Sequence, residues 1–340
     1  MRRPLDKLTL EGFKSIRELR DLELGALNVL IGANGAGKSN FIDFFRLLRA
    51  MVQESLQRHV TMSGGADGFF FEGPRVTRKI TGRMNFGPNQ IDFELEPTAD
   101  SSSLMWATST EYAEAERLPN DGFFHPAIAT WVVYHFHDTG LTAPMRRDWS
   151  AEDFRELRPG AENLATFLFR LRDRHSQRYQ RIRETIQLVA PFFDDFLLEP
   201  HQAGPAEKLR LQWRQRGSTF PYQPWQLSDG TLRFIALTTA LLQPEPPAMI
   251  VIDEPELGLH PVALSLLAAL IHEAAATTQL VISTQSPLLI DHFEPEHIIV
   301  VKREAGASVF ERLNSADLER WLREYTLGEL VRKNVVEAGP

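Results

Sequence analysis

One octapeptide constrains this 340-residue chain more than any other feature. Gly32-Ala33-Asn34-Gly35-Ala36-Gly37-Lys38-Ser39 completes the pattern G-x-x-x-x-G-K-S, directly after the apolar run Leu27-Asn28-Val29-Leu30-Ile31 and directly before a helical pattern opened by Asn40-Phe41-Ile42. Glycines in a strand-to-helix turn can be turn chemistry alone, yet strand before and helix after are the context that a phosphate-binding loop requires. Gly32, Gly35 and Gly37 let backbone N–H groups curl around the oxygens of a triphosphate, with Asn34, Ala36 and Asn40 among the binding positions. Lys38 then reaches the β/γ-phosphates, and the Ser39 hydroxyl can ligate Mg²⁺ at a helix N-terminus whose dipole favours anions. The fold class this predicts is α/β, built around a P-loop that takes a nucleoside triphosphate with Mg²⁺.

The second half of such a site lies far downstream. Ala248-Met249-Ile250-Val251-Ile252 is an uninterrupted apolar run, the pattern of a strand buried on both faces, and it ends in Asp253-Glu254-Pro255. Acids at the carboxyl end of a parallel strand sit where ligands bind in open α/β sheets. Asp253 suits the Mg²⁺ shell, and Glu254 suits a water that must be oriented or deprotonated for attack. Acids also simply end strands at the surface, but two of them here, in a chain with a phosphate loop, favour hydrolysis of the nucleotide.

Leu227-Ser228-Asp229-Gly230-Thr231 introduces a long apolar helix, Leu232 to Leu242, and reads as a variant of the L-S-G-G-Q signature of ABC-type ATPases. Ser228 or Asp229 as a mere helix cap is the bland alternative. The position just upstream of the acid-ended strand favours the signature, a second anion site at a helix N-terminus.

Together these residues make the chain resemble the ABC-type ATPase heads of the SMC, RecF and OLD-like superfamily, most closely a compact bacterial RecF-like ATPase. Leu8-Thr9-Leu10-Glu11-Gly12-Phe13-Lys14-Ser15-Ile16 is similar to the first strand of those heads, and Glu256-Leu257-Gly258-Leu259-His260-Pro261 to their D-loop. Ser283-Thr284-Gln285-Ser286-Pro287 resembles the switch after the last core strand; Tyr134 to Thr139 and Tyr325 to Leu330 look like segments of the same compact group. The resemblance implies that Ser228 and Gly230 face a γ-phosphate bound by the other protomer, so that at least a homodimer closes around ATP. It implies a catalytic set of Lys38, Glu254 and Gln285, and an output through a separate effector such as a nuclease, in DNA repair or anti-phage defence.

Three departures from the superfamily pattern stand out. Gln285 occupies a switch position that usually carries histidine, and an amide can donate to a γ-phosphate or hold a water but cannot take a proton. Asp229 replaces a glycine, bringing a carboxylate near a phosphate unless it is turned away or paired. No glutamine follows the expected strand Trp131 to Tyr134, where His135, His137 or Asp138 could substitute. Period two would put both histidines on one strand face, which invites a metal reading, but a satisfied structural pair is the plainer one.

The chain has no cysteine and no uninterrupted apolar run near the length of about 18 residues that spans a membrane. A cytoplasmic protein without a membrane partner is the expectation. Net charge is −8, yet Arg146 to Arg183 holds ten arginines against six acids. Arg170, Arg174, Arg178 and Arg181 would fall on one helical face at spacings of four, four and three, opposite the apolar Leu164, Leu168, Leu171, Ile182, Ile186 and Val189. Such a face would bind DNA or RNA phosphates with strong salt dependence; a solvated arginine face is the commoner explanation.

The organisation expected is a single bilobed ABC-type head over 1–340. Residues 1–150 and 232–310 form the nucleotide core with an antiparallel β subdomain at about 75–137, turning at Gly87-Pro88-Asn89. Residues 151–231 form a helical lobe carrying the signature, with Lys208 to Arg214 as one strand, and 311–340 a C-terminal docking segment. Fewer than about sixty residues follow Ser286, below the roughly 100 of another complete domain, so the effector is expected on another polypeptide. Two alternatives stay open. One is a transporter-type nucleotide-binding subunit, disfavoured by the long interval between Ser39 and Leu227 and by Lys38-Ser39-Asn40-Phe41. The other is a non-hydrolysing ATP sensor, suggested by Gln285.

Overall fold

The computed structural model describes residues 3–99, 102–113, 116–117 and 126–336. Met1-Arg2, positions 100–101, 114–115 and 118–125 of the expected β-rich stretch, and 337–340 of the C-terminal segment lie outside the described residues. The chain divides into two units: Met1–Val133 with Pro247–Asp253 and Thr278–Pro340, and Tyr134–Pro246 with Glu254–Thr277. The boundaries differ from those expected. The helices Asp229–Leu242 and Pro261–Ala275 pack on each other, and the first of them on Ser176–Val189, so both belong with the helical unit rather than with the nucleotide core. Residues 311–336 belong to the first unit.

The first unit holds two sheets. One runs in the order Ala307–Arg312, Ile298–Glu304, Leu27–Ile31, Gln279–Thr284, Met249–Asp253, Val132–Tyr134. The pairings of Leu27–Ile31 with both neighbours, and of Gln279–Thr284 with Met249–Asp253, are parallel. These inner strands are apolar without alternation because both faces are covered: all of Leu27–Ile31 and Gln279–Thr284 are buried. The other sheet is the expected antiparallel subdomain, ordered Ile16–Glu23, Lys7–Phe13, Ile80–Phe86, Asn89–Pro97, Leu104–Ala113, Glu116–Arg117. Ile80–Phe86 alternates buried and half-exposed residues, as one covered face demands.

The helix Lys38–Val52 buries Phe41, Phe44 and Phe45. Phe44 stacks on Phe93 at 6.2 Å and meets Phe13 edge-on at 5.7 Å, while Phe45 lies 5.7 Å from Trp131. Each such pair adds about 0.5–1.5 kcal/mol beyond the apolar area it buries. The phosphate-loop helix is thereby fixed to the β subdomain by aromatic contacts.

The second unit contains the helices Leu164–Arg174, Ser176–Val189, Asp229–Leu242 and Pro261–Ala275 with two small antiparallel sheets. Lys208 to Arg214 is not one strand. Ala206–Leu209 and Gln212–Gln215 belong to different sheets, because the chain turns at Arg210, whose guanidinium forks onto Asp148 at 2.5 and 2.9 Å. Among the described residues no helix is long and apolar enough to cross a membrane.

Candidate functional site

Three neighbouring parallel strands of the first unit end side by side at their carboxyl ends. Ile31, the residue before the phosphate loop, pairs in register with Thr284, and Ser283 pairs with Asp253. Gly32, Gln285 and Asp253 therefore emerge at one level of the sheet, where open α/β folds bind ligands. The Ser283 hydroxyl donates to the Asp253 carboxylate and fixes its orientation. Gly32, Ala33, Asn34, Thr284, Gln285 and Val331 line an open pocket of about 370 Å³, which brings the expected Asn34 and Gln285 together.

The loop itself is braced from far away in sequence. Lys38 is 5% exposed, and its ammonium donates to the carbonyls of Gly32 (2.6 Å) and Ala33 (3.1 Å), holding its charge over the loop. Gly37 has φ +121°, and a Cβ there would run into the Ser308 hydroxyl, so only glycine fits. Ser308 donates to the Ala36 carbonyl and shares a hydrogen bond with the Ser15 hydroxyl, while Asn40 Nδ2 donates to Ser15 Oγ at 2.7 Å. Asn40, expected at the nucleotide, thus uses its side chain to brace the loop. Ser39 and Asp253 offer the hard oxygens that suit Mg²⁺.

Glu254 opens the second unit's loop after the strand. Its backbone stands at φ +44°, a left-handed conformation that non-glycine residues seldom adopt and that clusters at functional sites. Further along, Ser228 is exposed at the N-cap of Asp229–Leu242, its Oγ accepting from Thr231 N at 3.1 Å. The Asp229 carboxylate is paired, with Arg146 at 2.7 Å. Gly230 lies so close to the loop Glu256–Pro261 that a Cβ would overlap the Gly258 carbonyl oxygen. Gly230→Ala is accordingly expected to lower stability by about 1–3 kcal/mol, read as a fall in the thermal midpoint; an unchanged midpoint would refute the close packing of these two loops.

Residues 27–291 match the family described as "AAA domain, putative AbiEii toxin, Type IV TA system". The chain belongs to this AAA-domain family. It is 24% identical over 341 aligned positions to a protein named OLD nuclease from Thermus scotoductus (strain ATCC 700910 / SA-01). The alignment takes in 88% of this chain, which spans 62% of that relative. An SmcHead bound to the C-winged helix domain of ScpA has the same fold, with a TM-score of 0.65 at 17% identity, over 92% of this chain and 99% of that one. So does an Smc head domain with an extended coiled coil, bound to the C-terminal domain of ScpA, derived from Pyrococcus furiosus: TM-score 0.57, 14% identity, 94% and 99% covered. The protein is an ABC-type ATPase of the SMC, RecF and OLD superfamily; it binds and hydrolyses ATP.

Two further groups in this AAA-domain ATPase were not legible in its sequence. Arg146, its side chain 3% exposed, donates to the carbonyls of Thr139 (2.8 Å), Pro224 and Leu227 (3.2 Å) as well as to Asp229. Arg233 on the signature helix donates to the carbonyls of Phe136 (2.9 Å), His137 (3.1 Å) and Leu257. The segment that lacks the expected glutamine is thus held through its backbone by two guanidinium groups. His135 and His137 lie beyond the strand, which ends at Tyr134, with rings 4.6 Å apart. Among the described residues no group of three or more His, Cys, Asp or Glu could hold a metal.

The arginine stripe does not form as expected. One helix ends at Arg174 and the next begins at Ser176, because His175 leaves the helical region at φ −136° and ψ 54°. The four-residue spacing across the break therefore does not keep one face. Arg170 lies over the Phe154 ring at 4.5 Å, and Arg181 pairs with Glu273 at 2.6 Å.

Proposed function

We propose that two copies of this ATPase close around ATP and that the closed state controls a separate effector in the cytoplasm, a nuclease by first choice, in DNA repair or defence against phage. Lys38 and the backbone of Gly32–Ser39 take the phosphates of one copy, Ser39 and Asp253 the Mg²⁺, and Gln285 senses the γ-phosphate. Glu254 positions the attacking water. Ser228 and Gly230 of the other copy complete the site. The observation that carries this reading is the signature turn: an exposed serine caps a 14-residue helix, whose N-terminal N–H groups and dipole favour an anion, and the one acid beside it is paired with Arg146. The effector is supported by the relative named OLD nuclease, of which this chain spans 62%. A protein partner docked on the head is supported by the ScpA domain bound to the similar Smc heads.

Ser228→Arg tests the shared site. A bulky cation at the helix N-cap is expected to block ATP-dependent pairing and hydrolysis while sparing ATP binding to the single chain. Light scattering with ATP, in a Glu254→Gln background that slows turnover, reads the pairing. A Ser228→Arg protein that hydrolyses ATP normally as a monomer excludes the shared site.

A further inference from the structure

The departure at Asp229 raises a problem that the fold solves locally. A carboxylate next to the N-cap serine would repel a γ-phosphate received at the same helix N-terminus. Arg146 removes the conflict. Its guanidinium is almost wholly withdrawn from water, which is costly unless every donor finds an acceptor. Nε serves Thr139, Nη1 serves Pro224 and Leu227, and Nη2 is directed at the Asp229 carboxylate, which itself stays 65% exposed. The three carbonyls fix the cation, and the fixed cation fixes the acid. Thr139 also lies two residues after His137, whose carbonyl Arg233 of the signature helix holds, so the turn and the segment after the strand Val132–Tyr134 are tied at two points.

Resting on the signature reading proposed above, we infer that Arg146 is a positioning residue for hydrolysis: it cancels the charge of Asp229 and locks the turn Leu227–Asp229, so that the helix N-terminus can receive a phosphate. Arg146 is 3% exposed and donates to three carbonyls and to Asp229. Its effect passes through Asp229 and the turn: the three carbonyls hold the guanidinium in place, and its charge neutralises the acid.

The test is a charge cycle read by steady-state phosphate release and by ATP-dependent light scattering in the Glu254→Gln background. Arg146→Gln keeps amide donors but no charge, and is expected to lower turnover on the order of 10- to 100-fold and to weaken pairing in step. Adding Asp229→Asn removes the stranded anion and is expected to return about tenfold of that loss. Arg146→Lys, which keeps the cation but cannot reach all four acceptors, is expected to retain more turnover than Arg146→Gln, since its ammonium still neutralises Asp229. A purely structural arginine would give no rescue by Asp229→Asn, and either that result or an Arg146→Lys protein as impaired as Arg146→Gln overturns the inference. Should Arg146→Gln fail to melt cooperatively, Arg146→Lys decides alone: retained turnover supports the role, and a fall to the level of Ser228→Arg overturns it. If Ser228→Arg itself pairs and hydrolyses normally, the signature reading fails. If Ser228→Arg is inactive but the cycle shows no coupling, only the role of Arg146 fails.

Discussion

Glu254→Gln is expected to bind ATP with wild-type affinity and to release phosphate about 10²–10⁴-fold more slowly, the usual consequence of losing a general base. The amide keeps the size of the side chain and its capacity to hold a water but cannot accept the proton. The left-handed backbone at this position argues for a functional reason to hold the carboxylate where it is, because strain of this kind costs about 1–3 kcal/mol and persists only where the surroundings enforce it. Affinity by calorimetry and turnover by phosphate release separate the two effects. Phosphate release by the variant at the wild-type rate would falsify the role of Glu254.

Lys38→Ala is expected to weaken ATP binding by at least about 100-fold, the equivalent of roughly 3 kcal/mol for charge-assisted hydrogen bonds to the β/γ-phosphates. The fold should survive. The loop stays braced by Ser15, Asn40 and Ser308, and the strand before it is paired on both sides, so the far-ultraviolet spectrum and a cooperative melt are expected to persist. Unchanged affinity in a calorimetric titration would remove Lys38 from the phosphate site.

Both substitutions fall on residues that are readable in the chain because their chemistry is local. The phosphate loop, the acid-ended strand and the signature turn each carry their meaning within a few consecutive residues, and the buried strands announce themselves by unbroken apolar runs. The antiparallel subdomain follows from alternation. What was not legible depends on pairs distant in sequence: Arg146 with Asp229 is 83 residues apart, and Arg233 with Phe136 is 97. Nothing near Arg146 distinguishes it from the other arginines of its stretch. The stripe at Arg170 to Arg181 misled for the opposite reason. The helix breaks at His175 without a glycine or proline to mark it, so the periodicity of the sequence continues across a discontinuity in the backbone. The alternation from Lys208 to Arg214 likewise runs across a break between two strands, at Arg210, which forks onto Asp148.

The bracing of the phosphate loop has a consequence for synthesis on the ribosome. The strand Leu27–Ile31 emerges early, yet both of its sheet neighbours, Gln279–Thr284 and Ile298–Glu304, come from the last quarter of the sequence, and the Ser15 hydroxyl waits for Ser308 across 293 residues. At about 5–20 residues per second, the interval is on the order of tens of seconds. Throughout it, an apolar strand with two open edges is exposed to chaperones and to wrong partners. A nascent chain that stalls before residue 298 has the phosphate-loop sequence but lacks the strand Ile298–Glu304 and the Ser308 brace. Retention of nucleotide thus reports that the late strands have docked, and nucleotide added during translation stabilises only chains that have passed that point.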